Sequence, residues 1–269
     1  RVAIGGCGTL IVVLVISLLT GTSPERILQL LGGSSPSGNV ATAPSGSSPG
    51  APAAPGPEDR GTKFVKVILA DTEDTWTEIF ASSGQKYQLP TLVLFTDETP
   101  TACGEGSAAQ GPFYCPNDHR VYLDLGFFDE LSRRFGAPGD FARAYVIAHE
   151  IGHHVQQQLG IMDKVDDLRR RSSREDANQL SVRLELQADC FAGVWGNRGA
   201  RKGLLEPGDA EAGLRAAAAI GDDRLQRMAT GRVQPETWTH GSSAQRVEWL
   251  RRGLTSGDPG ACKAFEGLF

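Results

Sequence analysis

Three of the chain's five histidines fall within the stretch AHEIGHHVQQQLG, residues 148 to 160. His149, Glu150 and His153 spell an H-E-x-x-H pattern. On a helix turning about 100° per residue, His149 and His153 lie roughly 40° apart on one face, with Glu150 on the flank. Two imidazoles placed this way can converge on one zinc ion, and the carboxylate beside them can take a proton from a water on that ion. His154 points about 100° away from His153 and is expected to make a structural hydrogen bond instead.

A catalytic zinc needs a third protein ligand and an open position for water. Downstream, RLELQADCFAG (183 to 193) carries Glu185 and Asp189 one helical turn apart. Glu185 is the candidate third ligand. Asp189 is the candidate acceptor for the free ring N–H of a zinc-bound histidine, which would fix its tautomer. A solvated acidic pair is the competing reading, but Leu, Gln, Ala and Cys surround the two carboxylates, which favours partial burial. His240, just before the capping-box pattern Ser242-Ser243-Ala244-Gln245, is a candidate donor to the oxyanion that forms on a scissile carbonyl, with Tyr114 and Tyr122 as competitors.

These residues require helices. Phe141, Ala144, Tyr145, Ala148, Gly152, Val155 and Leu159 follow the spacing of an apolar stripe, so a helix is expected over 140 to 159, with Asp140 as N-cap and Gly160 as stop. Leu180, Leu184, Ala188, Phe191 and Val194 mark a second over 174 to 199. Further helices are expected near 72 to 81, 127 to 135, 208 to 229 and 242 to 252, and strands over 91 to 95 and 121 to 125. DLRRRSSRED (167 to 176) reads as a solvated connection between the two site helices. The sum is an α+β domain, mostly helical with a small sheet.

The 269 residues are unevenly composed. Residues 2 to 21 carry no charge and are long enough to cross a bilayer as a helix. The expected organisation is a membrane anchor and juxtamembrane segment over 1 to 31, a Gly/Pro/Ser/Ala-rich linker over 32 to 62, and one globular domain over 63 to 269. A G-x-S-x-G match at 46 to 50 falls in the linker, where no buried strand can present a nucleophile. A formal net charge of −5, with no basic run interleaved by aromatics, argues against nucleic acid as the main partner.

Five cysteines are present, and Cys7 lies in the apolar N-terminal run. Cys103, Cys115, Cys190 and Cys262 form an even set without C-x-x-C spacing. With an anchoring segment ahead of them, disulfides in an extracytoplasmic domain are the favoured reading, paired Cys103–Cys115 and Cys190–Cys262.

H-E-x-x-H followed by E-x-x-x-D resembles the gluzincin class of metallopeptidases, to which thermolysin belongs. GPFYCPNDHRVYLDLGFFDEL (111 to 131) and THGSSAQRVEWLRRG (239 to 253), taken with the two site stretches, resemble the bacterial neutral zinc metallopeptidase family over about residues 63 to 269. That resemblance implies a zincin-like fold, Zn2+ held by His149, His153 and Glu185, and Glu150 as general base in the hydrolysis of a peptide or protein substrate. The substrate is expected to lie beside the 121 to 125 strand. The contrasting reading is a membrane-tethered peptide-binding or scaffold module whose zinc is structural, its fourth ligand coming from His154, His240 or Asp189.

Overall fold

The computed structural model describes residues 59–269, so the expected anchor and the linker up to residue 58 lie outside the described residues. Asp59 accepts a hydrogen bond from the Thr62 backbone N–H (2.8 Å) and caps helix α1, Arg60–Ser82. Arg60 to Thr62, read above as linker, are therefore its first turn, and the helix starts well before residue 72. Val65, Thr72, Trp76 and Phe80 make up most of its buried stripe. Among the described residues no helix is long and apolar enough to cross a membrane.

Five short strands follow: β1 Thr91–Phe95, β2 Glu98–Thr101, β3 Gly104–Ser107, β4 Phe113–Cys115 and β5 Arg120–Asp124. β1, β5 and β4 form one sheet in that order, with β1 parallel and β4 antiparallel to β5; β2 and β3 form a separate hairpin. The expected substrate strand is thus corrected. β5 is central and hydrogen-bonded on both sides, so the free edge on the β4 side of this sheet belongs to β4 itself.

The remaining chain is helical: α2 Gly126–Arg133, α3 Asp140–Gln158, α4 Ile161–Arg169, α5 Arg174–Arg201, α6 Asp209–Ala219, α7 Asp222–Thr230 and α8 Ser243–Ser256. Asp140 is the first residue of α3 and makes no cap hydrogen bond; Gly139, with φ 118°, holds the cap position. Ser242 and Gln245 form the expected capping box on α8. The span expected as one helix over 208 to 229 is broken at Ile220 and Gly221. A Cβ on Gly221 would meet the Ser243 backbone nitrogen at 2.3 Å, so the close approach of α8's first turn demands a glycine there.

Ile147 and Ile151 of α3 pack with Val121 and Leu123 of β5, Trp76 and Phe80 of α1, and Phe191 and Val194 of α5 in one core. A second core joins Phe141, Ala144, Tyr145 and Ala148 of α3 to Ala192 and Trp195 of α5, Ala216 of α6 and Leu250 of α8. Two crossings are unusually tight. Gly152, inside the H-E-x-x-H motif, lets α3 approach α5, since a Cβ would come within 3.0 Å of the Ala188 backbone. Gly193 of α5 faces Gly253 of α8, where a Cβ would stand 2.2 Å from the Leu250 carbonyl oxygen or 2.0 Å from that of Cys190.

Both expected disulfides are present. Cys103–Cys115 joins the β2–β3 turn to the end of β4, and Cys190–Cys262 joins α5 to the segment after α8.

Candidate metal centre

α3 and α5 cross with His149, His153 and Glu185 facing each other. His149 Nε2 lies 3.1 Å from Glu185 Oε2 and His153 Nε2 lies 3.4 Å from Glu185 Oε1. One ligand atom from each of the three residues falls within 4.8 Å of the others. All three side chains are largely buried.

Each ring is fixed from behind. His149 Nδ1 lies 2.9 Å from Asp189 Oδ1, and the same oxygen accepts from the Tyr145 hydroxyl at 2.6 Å. Arg246 of α8 grips Asp189 through Nε (2.8 Å) and a terminal nitrogen (2.9 Å), and the same terminal nitrogen reaches the Tyr145 oxygen. His153 Nδ1 faces Gln156 Oε1 at 2.9 Å. Both Nε2 atoms are thereby left to turn toward Glu185, as a carboxylate or amide behind a metal-binding imidazole is expected to arrange.

The electrostatics match a cation. Burial opposes charge on His149, yet the Asp189 carboxylate and hydrogen bonds to Asp189 and Glu185 outweigh it and raise the imidazole pKa to about 10. His153 is raised too, with the charge of Glu185 overcoming burial. Glu185 is buried and still held well below the usual carboxylate range, chiefly by His153 and then by His149. Asp189 is lowered to about 2 against the effect of burial, first by Arg246 and then by His149. The carboxylates that hold protons on two buried imidazoles would equally favour a divalent ion, which must displace those protons to bind. Two imidazole nitrogens and a carboxylate are a catalytic zinc donor set.

Glu150 sits beside this group, buried, with its pKa raised by burial and pulled back by His149 and His153. It lines a cleft of about 840 Å³ together with the three candidate ligands, Phe113, Tyr114 and His240. His240 is half exposed and its direction is set by Asp222. Asp222 Oδ2 accepts the backbone N–H groups of Thr239, His240 and Gly241 (2.8, 2.7 and 3.0 Å), and Oδ1 lies 3.3 Å from His240 Nδ1. The Asp222 hydrogen bond raises the His240 pKa, with the charge of Glu185 adding to it against burial.

The two tyrosine competitors are engaged elsewhere. The Tyr114 hydroxyl stands between His154 Nδ1 (3.1 Å) and His119 Nδ1 (3.2 Å), and the Tyr122 hydroxyl donates to Asp118 (2.7 Å). His154 Nε2 faces the Gln88 carbonyl at 2.7 Å, so this imidazole holds the strand region in place, as its position on the helix led us to expect.

The sequence matches, over residues 1–265, the family described as "Putative neutral zinc metallopeptidase". The chain belongs to that family. Zinc is the metal of the family, and His149, His153 and Glu185 are the group that can hold it. Among curated relatives, the uncharacterized protein YpfJ of Escherichia coli strain K12 is 55% identical over 208 residues, covering 77% of this chain and 72% of the relative. The uncharacterized protein Rv2575 of Mycobacterium tuberculosis strain H37Rv and Mb2605 of Mycobacterium bovis are each 41% identical over 214 residues, covering 76% of this chain and 71% of the relative. No solved structure matches.

Several residues around the site went unseen in the sequence. Arg246, Tyr145 and Asp222 read as ordinary helix positions, and Gln156 as one of three adjacent glutamines. The one available signal was Arg246, a cation at the position of α8 that packs inward with Leu250 and Gly253.

Proposed function

We propose that this member of the zinc metallopeptidase family hydrolyses internal peptide bonds of an extended polypeptide lying in the cleft between β4 and the helices. The observation that carries this reading is Glu150 next to three ligand groups on an open cleft. Asp189 and His154, two of the candidates for a closing fourth ligand, are tied to other partners.

Zinc bound by His149, His153 and Glu185 would lower the pKa of water in its open position toward about 7 and polarise the scissile carbonyl. Glu150 takes the proton of the attacking water and hands it to the leaving amine. A carboxylate with a pKa raised by burial suits both halves of that transfer. His240, aimed by Asp222, donates to the carbonyl oxygen as negative charge develops there. The free edge of β4 offers backbone groups to an extended substrate. Among the residues lining the cleft, Phe127, Phe135, Val146, Ile220 and Leu225 pack in one apolar cluster suited to a large hydrophobic side chain. Residues 2 to 21 would tether the domain to the cell membrane, with its disulfides on the extracytoplasmic side.

The test is Glu150→Gln in the full chain. The amide keeps the size of the side chain but cannot take the proton, so zinc should stay bound while cleavage of an unfolded protein substrate falls about 10²- to 10⁴-fold. Equal cleavage by both forms removes Glu150 as the base. Peptide binding without cleavage by either form favours the tethered binding module.

A further inference from the structure

On the buried side of the metal group, a second run of polar side chains leads away from the cleft and takes no part in the hydrolysis described above. His153 Nδ1 meets Gln156 Oε1 at 2.9 Å. Gln156 Nε2 donates to the Leu184 carbonyl (2.8 Å) and to Gln187 Oε1 (3.1 Å). Gln187 Nε2 donates to the Cys262 carbonyl (2.7 Å). Gln156 is completely buried and Gln187 nearly so. Two primary amides in such a place are unfavourable unless their hydrogen bonds are met, and here they form one continuous chain.

The polarity of that chain is set at its ends. A backbone carbonyl only accepts, so the Gln187 nitrogen must face Cys262 and the Gln156 nitrogen must face Leu184. Gln187 then presents its oxygen to Gln156, and Gln156 presents its oxygen to His153. An oxygen at that point requires the proton on His153 Nδ1. Nε2, facing Glu185, is then the nitrogen left to bind a metal once its own proton is displaced.

We infer that Gln156 and Gln187 are positioning residues that lock His153 in its metal-binding tautomer, taking their setting from the Cys262 carbonyl on the segment that the Cys190–Cys262 disulfide pins to α5. The inference rests on His149, His153 and Glu185 being the zinc ligands. It differs in kind from the support of His149, whose partner is a carboxylate with only one way to act. An amide can turn over, and a reversed Gln156 would set N–H against N–H unless the ring changed tautomer.

The experiment compares full-chain wild type, Gln156→Leu, Gln187→Met and the double variant. Zinc affinity is measured by chelator competition, the absorption spectrum with Co2+ as probe, and the thermal midpoint without metal. Gln156→Leu should weaken zinc binding about 10- to 100-fold. Gln187→Met, which touches no ligand, should weaken it less and alter the cobalt spectrum. The double variant should bind no more weakly than Gln156→Leu, because both residues act along one path. If Gln187→Met lowers the thermal midpoint yet leaves zinc affinity and the cobalt spectrum unchanged, its role is packing alone and the inference is overturned. That result stands even if Gln156→Leu does not fold. A wild-type chain that holds no zinc would overturn the ligand assignment, and this inference with it.

Discussion

Glu185 and Asp189 sit one turn apart on the same helix yet predict different losses. Glu185→Ala takes away a carboxylate whose two oxygens face the two imidazoles, one each, so metal analysis of the purified chain should find most of the zinc gone. Asp189→Asn keeps the shape but removes the charge that backs His149 and pairs with buried Arg246, which should weaken zinc on the order of 10- to 100-fold. Full zinc content in Glu185→Ala would exclude Glu185 as a ligand. A pH profile addresses His240. Its pKa is raised above the usual 6.5, first by the Asp222 hydrogen bond, so the imidazolium persists through that pH and is lost as pH climbs past the raised value. Asp222→Asn should let the proton leave sooner and shift the alkaline limb of kcat/KM to lower pH. A limb that stays put would mean that His240 is not the donor. His149, Glu150 and His153 were readable in the sequence because a single helical period converts their spacing into geometry, and Glu185 because the E-x-x-x-D pattern supplies the third ligand that such a motif demands. Asp222 and Arg246 were not, since each meets its partner across a helix packing whose register local sequence does not encode.

At the scale of elements, the two site helices were legible, α1 only in its second half, and α4 not at all. α3 and α5 announced themselves through apolar stripes, whereas α4 has one fully buried residue, Val165, and so left almost no periodic trace. β2 and β3 contain Pro100, Gly104 and Gly106, residues that weaken any strand pattern, and β4 has only three residues. Their pairing depends on neighbours, so nothing in the sequence showed that β5 has a strand on each side and no room for a substrate beside it. The tight α5–α8 crossing was equally hidden, because a glycine in a helix does not say what presses against it. Gly193→Ala should test that crossing. The added methyl has backbone on the facing side and nowhere to go, so urea denaturation should show a loss of about 1–3 kcal/mol or more. Unchanged stability would mean that α8 can move away from α5 freely.

For the molecule as a whole, the two disulfides brace regions of different reach. Cys103–Cys115 spans 12 residues and Cys190–Cys262 spans 72. By loop-closure entropy the shorter is worth about 3 kcal/mol and the longer about 4 kcal/mol. Replacing both cysteines of a pair by serine should therefore cost more at Cys190 and Cys262, where the sulfurs also leave a gap in the main core. Equal midpoints for the two double variants in a denaturant series would argue that the long loop is already restrained when unfolded.

Arg246 and His149 are 97 residues apart in the chain, and α8 must be in place before Asp189 is gripped and the imidazole behind it is fixed. During synthesis the motif helix emerges long before its brace. At about 5–20 residues per second, several seconds separate the two. A growing polypeptide of this kind lacks the brace behind His149 for as long as its C-terminal helix is unmade, so the metal centre is completed only when the domain as a whole has folded.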